Sequence, residues 1–328
     1  MTDVSRRSVL GGCLAVAGSG AVRADDWPAR PVTWLVPYPA GGGSDTFARP
    51  VAQQVAERLG RPMVIDNRGG AGGTLGTAIV ARAPADGYML LVGDTGLTYA
   101  PTIYPRAGFD FVRDFAPISA LARVPYVLVV NPQRLDVKSL GEFIEMARRH
   151  PDGIDVGSAG LGSITHLAIG LFETRAGVRL HHVPYRGGAP MLQDLLAGQI
   201  AAAFVLTSLV APYLGSGLGS DKLAALAVAN RRREALLPQV PTMEEAGLAD
   251  FRATIWFGLF APSRTPDAIL DRLHETVQAA LQSEAVRQTW AEHGARVEPE
   301  SRADFARFVV QETERWSRIA KAANIQME

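Results

Sequence analysis

Apolar positions along this chain follow two periods in alternation. Short unbroken apolar runs are followed by longer segments in which apolar residues recur every three or four positions. Val32-Thr33-Trp34-Leu35-Val36 is the first unbroken run, the pattern of a strand covered on both faces. Beyond it Phe47, Val51, Val55 and Leu59 stand four apart, which predicts a helix beginning near Thr46 and closing at Gly60. Pro50 lies inside that helix and should kink it. The same alternation predicts further strands over 63–65, 89–92, 126–130, 154–156, 180–183, 201–205, 223–228 and 255–261. Helices are predicted over 75–82, 140–149, 165–175, 191–197, 266–282, 283–294 and 301–323, with a turn at 93–96. Strands alternating with helices predict parallel α/β sheets.

The connections carry the candidate chemistry. Pro37-Tyr38-Pro39-Ala40-Gly41-Gly42-Gly43-Ser44-Asp45 joins the first strand to its helix. Its glycines let backbone approach a ligand closely. Ser44 or Asp45 can cap the helix, and the free N–H groups at the helix start suit an anion. No Lys-Ser or Lys-Thr follows the glycines, and they are adjacent rather than spaced, so neither a P-loop nor a dinucleotide fingerprint fits. About 120 residues on, strand 154–156 runs into Gly157-Ser158-Ala159-Gly160-Leu161-Gly162-Ser163 and a second helix. This loop is also open to a nucleophile reading, Ser158 or Ser163 with His166 as base, although no Gly-x-Ser-x-Gly elbow is present. Tyr185-Arg186-Gly187-Gly188 is a further loop, where a guanidinium suits a carboxylate. His181 and His182 are neighbours on a strand and point to opposite faces. No metal site and no cofactor are expected.

Composition narrows the choice. The 328 residues are 47% hydrophobic, enough for two ordinary domains. Lys+Arg and Asp+Glu each count 33, and without a basic tract no nucleic-acid partner is expected. Arg6-Arg7, a short apolar run and Val22-Arg23-Ala24 make 1–24 an export signal with a twin-arginine look. Cys13, the one cysteine, falls inside it, so the mature chain has no thiol chemistry. A soluble, periplasmic protein is expected.

Several ordered runs then point to a family. They are Trp27-Pro28-Ala29-Arg30-Pro31, Val36 to Asp45, Asp66-Asn67-Arg68-Gly69-Gly70-Ala71-Gly72-Gly73, Asp86-Gly87-Tyr88 and Asp114-Phe115-Ala116-Pro117. His182-Val183-Pro184-Tyr185-Arg186-Gly187, Pro238-Gln239-Val240-Pro241-Thr242 and Trp256-Phe257-Gly258-Leu259 continue the series. In order and spacing the chain resembles the Bug (Bordetella uptake gene) family, the extracytoplasmic receptors of tripartite tricarboxylate transport systems. The resemblance implies a type II, two-lobed periplasmic-binding-protein fold of the Venus-flytrap kind. It puts 25–124 and 256–328 in one lobe and 125–255 in the other. It implies a receptor, not an enzyme, that binds a small organic acid or related metabolite and delivers it to membrane permease subunits or, in some members, to a sensor protein. Ligand contacts are expected at Tyr38, Ala40, Gly41, Gly42, Gly43, Ser44, Asp45, Thr95, Ser158, Gly160, Gly162, Ser163, His166, Tyr185, Arg186 and Thr207. Two departures bear on the ligand. The usual Phe-Asp-Asn reads Phe204-Val205-Leu206 here, which makes that wall apolar and admits an aromatic or nicotinamide-like compound. Asp94 would recognise an amine or repel a dianion.

Overall fold

In a computed structural model the described residues are 27–150, 152–214, 222–296, 299–323 and 325. The expected export signal over 1–24 lies outside them. In chain order the elements are β1 (Val32–Val36), α1 (Gly43–Leu59), β2 (Met63–Asn67), α2 (Thr74–Ala81), β3 (Met89–Asp94), α3 (Thr95–Ile103), α4 (Phe111–Asp114) and β4 (Phe115–Val130). Next come α5 (Leu140–Arg149), β5 (Ile154–Ser158), α6 (Ile164–Ala176), β6 (Leu180–Pro184), α7 (Gly188–Leu196), β7 (Ala202–Leu206), α8 (Thr207–Val210) and β8 (Ala224–Val228). The chain closes with β9 (Thr254–Pro262), α9 (Asp267–Leu281), α10 (Glu284–Glu292) and α11 (Arg302–Ala322).

The strands run in the order β2-β1-β3-β9-β4-β7-β5-β6, with β8 also on β4. Two parallel groups result, β2-β1-β3 and β7-β5-β6. The all-parallel expectation fails between them, where β9 and β4 pair antiparallel to their neighbours. β4 is the joint. Its first part pairs with β9 as far as Pro125, and from Tyr126 on it pairs with β7. Only that second part shows in the sequence as an apolar run. Pro117, Arg123 and Pro125 interrupt the first, and the register shifts there twice.

Each parallel group carries its own core. Trp34, Val51, Val55, Leu273 and Val277 pack around the first. Phe143, Phe172, Phe204 and Phe251 pack around the second, with Phe204 and Phe251 stacked at 5.7 Å. α11 spans the two. Phe305 and Val309 join the cluster of Trp256 and Phe260, while Trp316 and Ala320 join that of Phe143. α1 continues past Pro50 to Gly60, whose φ of 63° closes it in the left-handed conformation that glycine favours.

Candidate functional site

Two glycine loops leave the carboxyl ends of parallel strands, β1 and β5, where α/β sheets commonly bind ligands. The first is set up by a carboxylate that the sequence reading gave a different task. α1 starts at Gly43, its cap position is Gly42, and no side chain caps it. Asp45 lies inside the first turn and is buried. Its carboxylate accepts from the Gly41 N–H at 2.9 Å, Arg49 Nε at 2.8 Å and Asn67 Nδ2 at 3.0 Å. Burial pushes the Asp45 carboxyl up, but the bonds from Arg49, Gly41 and Asn67 outweigh it and hold it below the usual range. Asp45 thus organises the loop, and the Gly41 amide is spent on it. The N–H groups of Gly43, Ser44 and Asp45 have no acceptor among the described residues. These three donors are the loop's anion-competent edge.

Tyr38 ties this loop to β3. Its hydroxyl donates to Asp94 Oδ1 at 3.1 Å. Asp94 is buried and caps α3 through the Leu97 N–H at 3.2 Å. Burial is the main cause that pushes its carboxyl up to about 6, against these bonds. The Tyr38 phenol rises too, through burial and the Asp94 charge. Asp94 is enclosed by its partners and anchors the loop.

The second loop closes on itself. Ser163 caps α6 through the His166 N–H, and its hydroxyl donates to the Gly160 carbonyl at 2.7 Å. The Thr165 hydroxyl accepts from the Ala159 N–H at 2.8 Å. His166 Nδ1 accepts from the Gly162 N–H at 3.1 Å, which places the proton of its neutral ring on Nε2. Burial lowers its pKa. The ring stacks on His182 at 3.9 Å and 12°. His182 Nε2 lies 2.6 Å from Ser158 Oγ, and burial, with His166 and His181 nearby, pushes His182 down to about 4. Ser158 is therefore buried against His182, not His166, and His166 has no lone pair turned to Ser163. A serine nucleophile with His166 as base does not assemble here. Gly160, at φ 131°, takes a conformation that side chains resist.

The two loops converge on α3. The Tyr99 hydroxyl, buried on that helix, donates to the Gly162 carbonyl at 3.1 Å. A Cβ placed on Gly96 would sit 3.6 Å from the Tyr38 hydroxyl and 3.9 Å from that of Tyr99. One helix start therefore carries both loops. The sequence reading had only a turn there, because Gly96 and Pro101 mask the helix.

Other expected contacts fall elsewhere. The Thr95 hydroxyl accepts from the Trp256 N–H at 2.9 Å, so it braces β9. The Tyr185 hydroxyl donates to Asp194 at 2.9 Å, and burial with that bond pushes it up to about 12. Arg186 and Ala40 are exposed. The buried Thr207 hydroxyl has no partner among the described residues and lies 3.1 Å from where a Gly294 Cβ would be. Leu206 is partly buried against both main cores. Residues that the sequence reading did not assign to the site are Asp94 as anchor, Gly96, Tyr99 and His182. In the sequence His181 and His182 show only that neighbours on a strand point to opposite faces. Among the described residues no cluster of His, Cys, Asp and Glu could hold a metal ion.

Comparison with known proteins places the chain among relatives of one family. Residues 47–325 match the family described as the tripartite tricarboxylate transporter family receptor. Protein BugT of Bordetella pertussis is 35% identical over 98% of each chain. Among solved structures, R. palustris Rpa4515 with adipate is 37% identical, with a TM-score of 0.78 over 92% of this chain and 99% of the other. MatC from Rhodopseudomonas palustris with bound malate is 35% identical, with a TM-score of 0.75 over 89% and 99%.

Proposed function

This chain belongs to the tripartite tricarboxylate transporter receptor family, and from that premise we propose that it is a periplasmic receptor that captures a small organic acid without transforming it. The observation that carries the reading is the trio of unpaired N–H groups at Gly43, Ser44 and Asp45, held in place by the Asp45 carboxylate. A ligand carboxylate fits those donors. Gly42 shapes their approach, and the start of α6 with His166 Nε2–H receives the rest of the ligand. Adipate and malate in two solved relatives support this class of ligand. Leu206 in place of a polar residue favours a ligand with an apolar middle.

We assign 25–124 and 256–328 to one lobe and 125–255 to the other. The change of pairing partners along β4 beyond Pro125 and the start of β9 at Thr254 support that division. Closure of the lobes, populated by ligand, is the transport signal. Membrane permease subunits, or a sensor protein, read the closed form, and 1–24 exports the chain.

Gly42 provides the test. Its backbone is extended (φ −77°, ψ 173°), and an added Cβ would meet only the Pro39 carbonyl, at 3.4 Å. Gly42→Val therefore folds normally and obstructs the loop. Thermal shift against adipate, malate and aromatic acids is the assay. A saturating acid at a hundredfold excess over its Kd stabilises the wild type by about 2.7 kcal/mol. Gly42→Val loses that gain at unchanged ligand-free melting. An equal gain in the variant refutes the loop assignment, and release of a transformed product refutes the receptor.

A further inference from the structure

A groove of about 470 Å³ lies beside the crossing of β4 and β9, and no residue of either glycine loop lines it. It is lined by Arg123, Arg231, Arg232, Arg252, Arg296 and Arg315, against two acids, Glu234 and Glu312. Glu300 and Asp250, just outside the lining, pair with Arg123 and Arg252, and the cluster keeps a local excess of cations in a chain with no net charge. Much of that charge is already oriented. Arg123 pairs with Glu300 at 2.8 Å, Arg315 with Glu312 at 3.2 Å, and Arg296 with the buried Glu234 at 3.5 Å. The Arg231 side chain is exposed and has no partner among the described residues.

The walls are also short of acceptors. Arg123 Nε and Trp256 Nε1 are buried donors without a partner among the described residues, and both residues line the groove. Trp256 is fully buried, and the Arg123 guanidinium lies 4.5 Å over the Phe308 ring, which fixes its plane. These two donors lie behind the groove wall and leave it with no acceptor to offset its cations there. Planar guanidinium groups suit oxyanions, and the volume suits a small molecule. The lining residues come from β4, β9, α11, and the segments after β8 and α10. An occupant would therefore touch both strands that join the two parallel groups.

We propose that this groove is a second ligand site that takes a small multivalent oxyanion, a polycarboxylate or a phosphate compound, at the crossing of β4 and β9. An anion held there bears on the angle between the lobes, independently of the glycine loops.

Isothermal titration of the purified protein with citrate, and separately with inorganic phosphate, tests the site. Arg231→Glu is the informative variant, since it leaves no partner unpaired among the described residues; unchanged melting without anion verifies its fold. The expected result is binding of at least one probe that survives Gly42→Val and weakens about tenfold or more in Arg231→Glu. Rising salt weakens it further. Citrate alone identifies a polycarboxylate site, phosphate alone a phosphate site. Three results overturn the proposal: neither probe binds beyond a chloride control, binding is unaffected by Arg231→Glu, or binding disappears in Gly42→Val.

Discussion

Asp94 should make the protein less stable at neutral pH than it need be. Its carboxyl is buried and pushed up to about 6, whereas an unfolded chain would hold it near 3.9. A raised carboxyl pKa costs stability as pH rises. The cost is absent below about pH 4, grows between the two values, and is complete above the folded value. The displacement is about 2 units, and at 1.36 kcal/mol each the ceiling is about 3 kcal/mol. Asp94→Asn removes the charge and keeps an acceptor for the Tyr38 hydroxyl and the Leu97 N–H. The value of about 6 already includes the bonds made to the charged form, so the expected gain at pH 8 approaches that ceiling, about 2–3 kcal/mol. Denaturant unfolding of both proteins from pH 4 to 8 measures it. The variant's advantage should be largest at pH 8 and vanish near pH 4. A variant of equal or lower stability at pH 8, or an advantage independent of pH, refutes the argument. The wild type retains the charge because it holds Tyr38 and the start of α3 together, a case of stability given up for a positioned loop.

Asp45 should show the opposite slope. Its pKa is depressed, so its contribution is present above the usual carboxylate range and is lost as pH falls through the folded value. Asp45→Ala should cost about 2–3 kcal/mol at pH 7, mostly through the buried Gly41 and Asn67 bonds, and chemical denaturation should find the deficit shrinking in acid. Arg49 adds little because its side chain is 51% exposed. Thr207→Val replaces a buried hydroxyl that has no partner among the described residues. It should raise ligand-free stability by about 1 kcal/mol; a lowered melting temperature contradicts that, and reduced ligand affinity would return Thr207 to the ligand's contacts.

Local pattern was a good guide where a segment's environment is set by its own neighbours in sequence. β1, α5 and α6 lie within a residue or two of their predicted positions, because an unbroken apolar run or a four-residue spacing needs no distant partner to be recognised. The runs around the glycine loops were as legible, and so was the family. The first part of β4 was not, since its pairing with β9 joins residues more than a hundred positions apart and two prolines break its pattern. Nor was α3, whose Gly96 and Pro101 look like breakers until Asp94 caps it and Tyr99 packs against Trp316.

The same division runs through the site. The sequence determined that two strand, glycine-loop and helix units exist, because glycine spacing and helix starts are local properties. Which amides remain free, and which polar side chains are already engaged, only the tertiary structure decided. Asp45 takes the Gly41 amide from within its own turn, but it is fixed there by Asn67 on another strand; Thr95 is spent on Trp256, and Ser158 on His182. A side chain's availability depends on what distant segments bring within about 3 Å of it, and that information is not carried by the residue's own position in the chain.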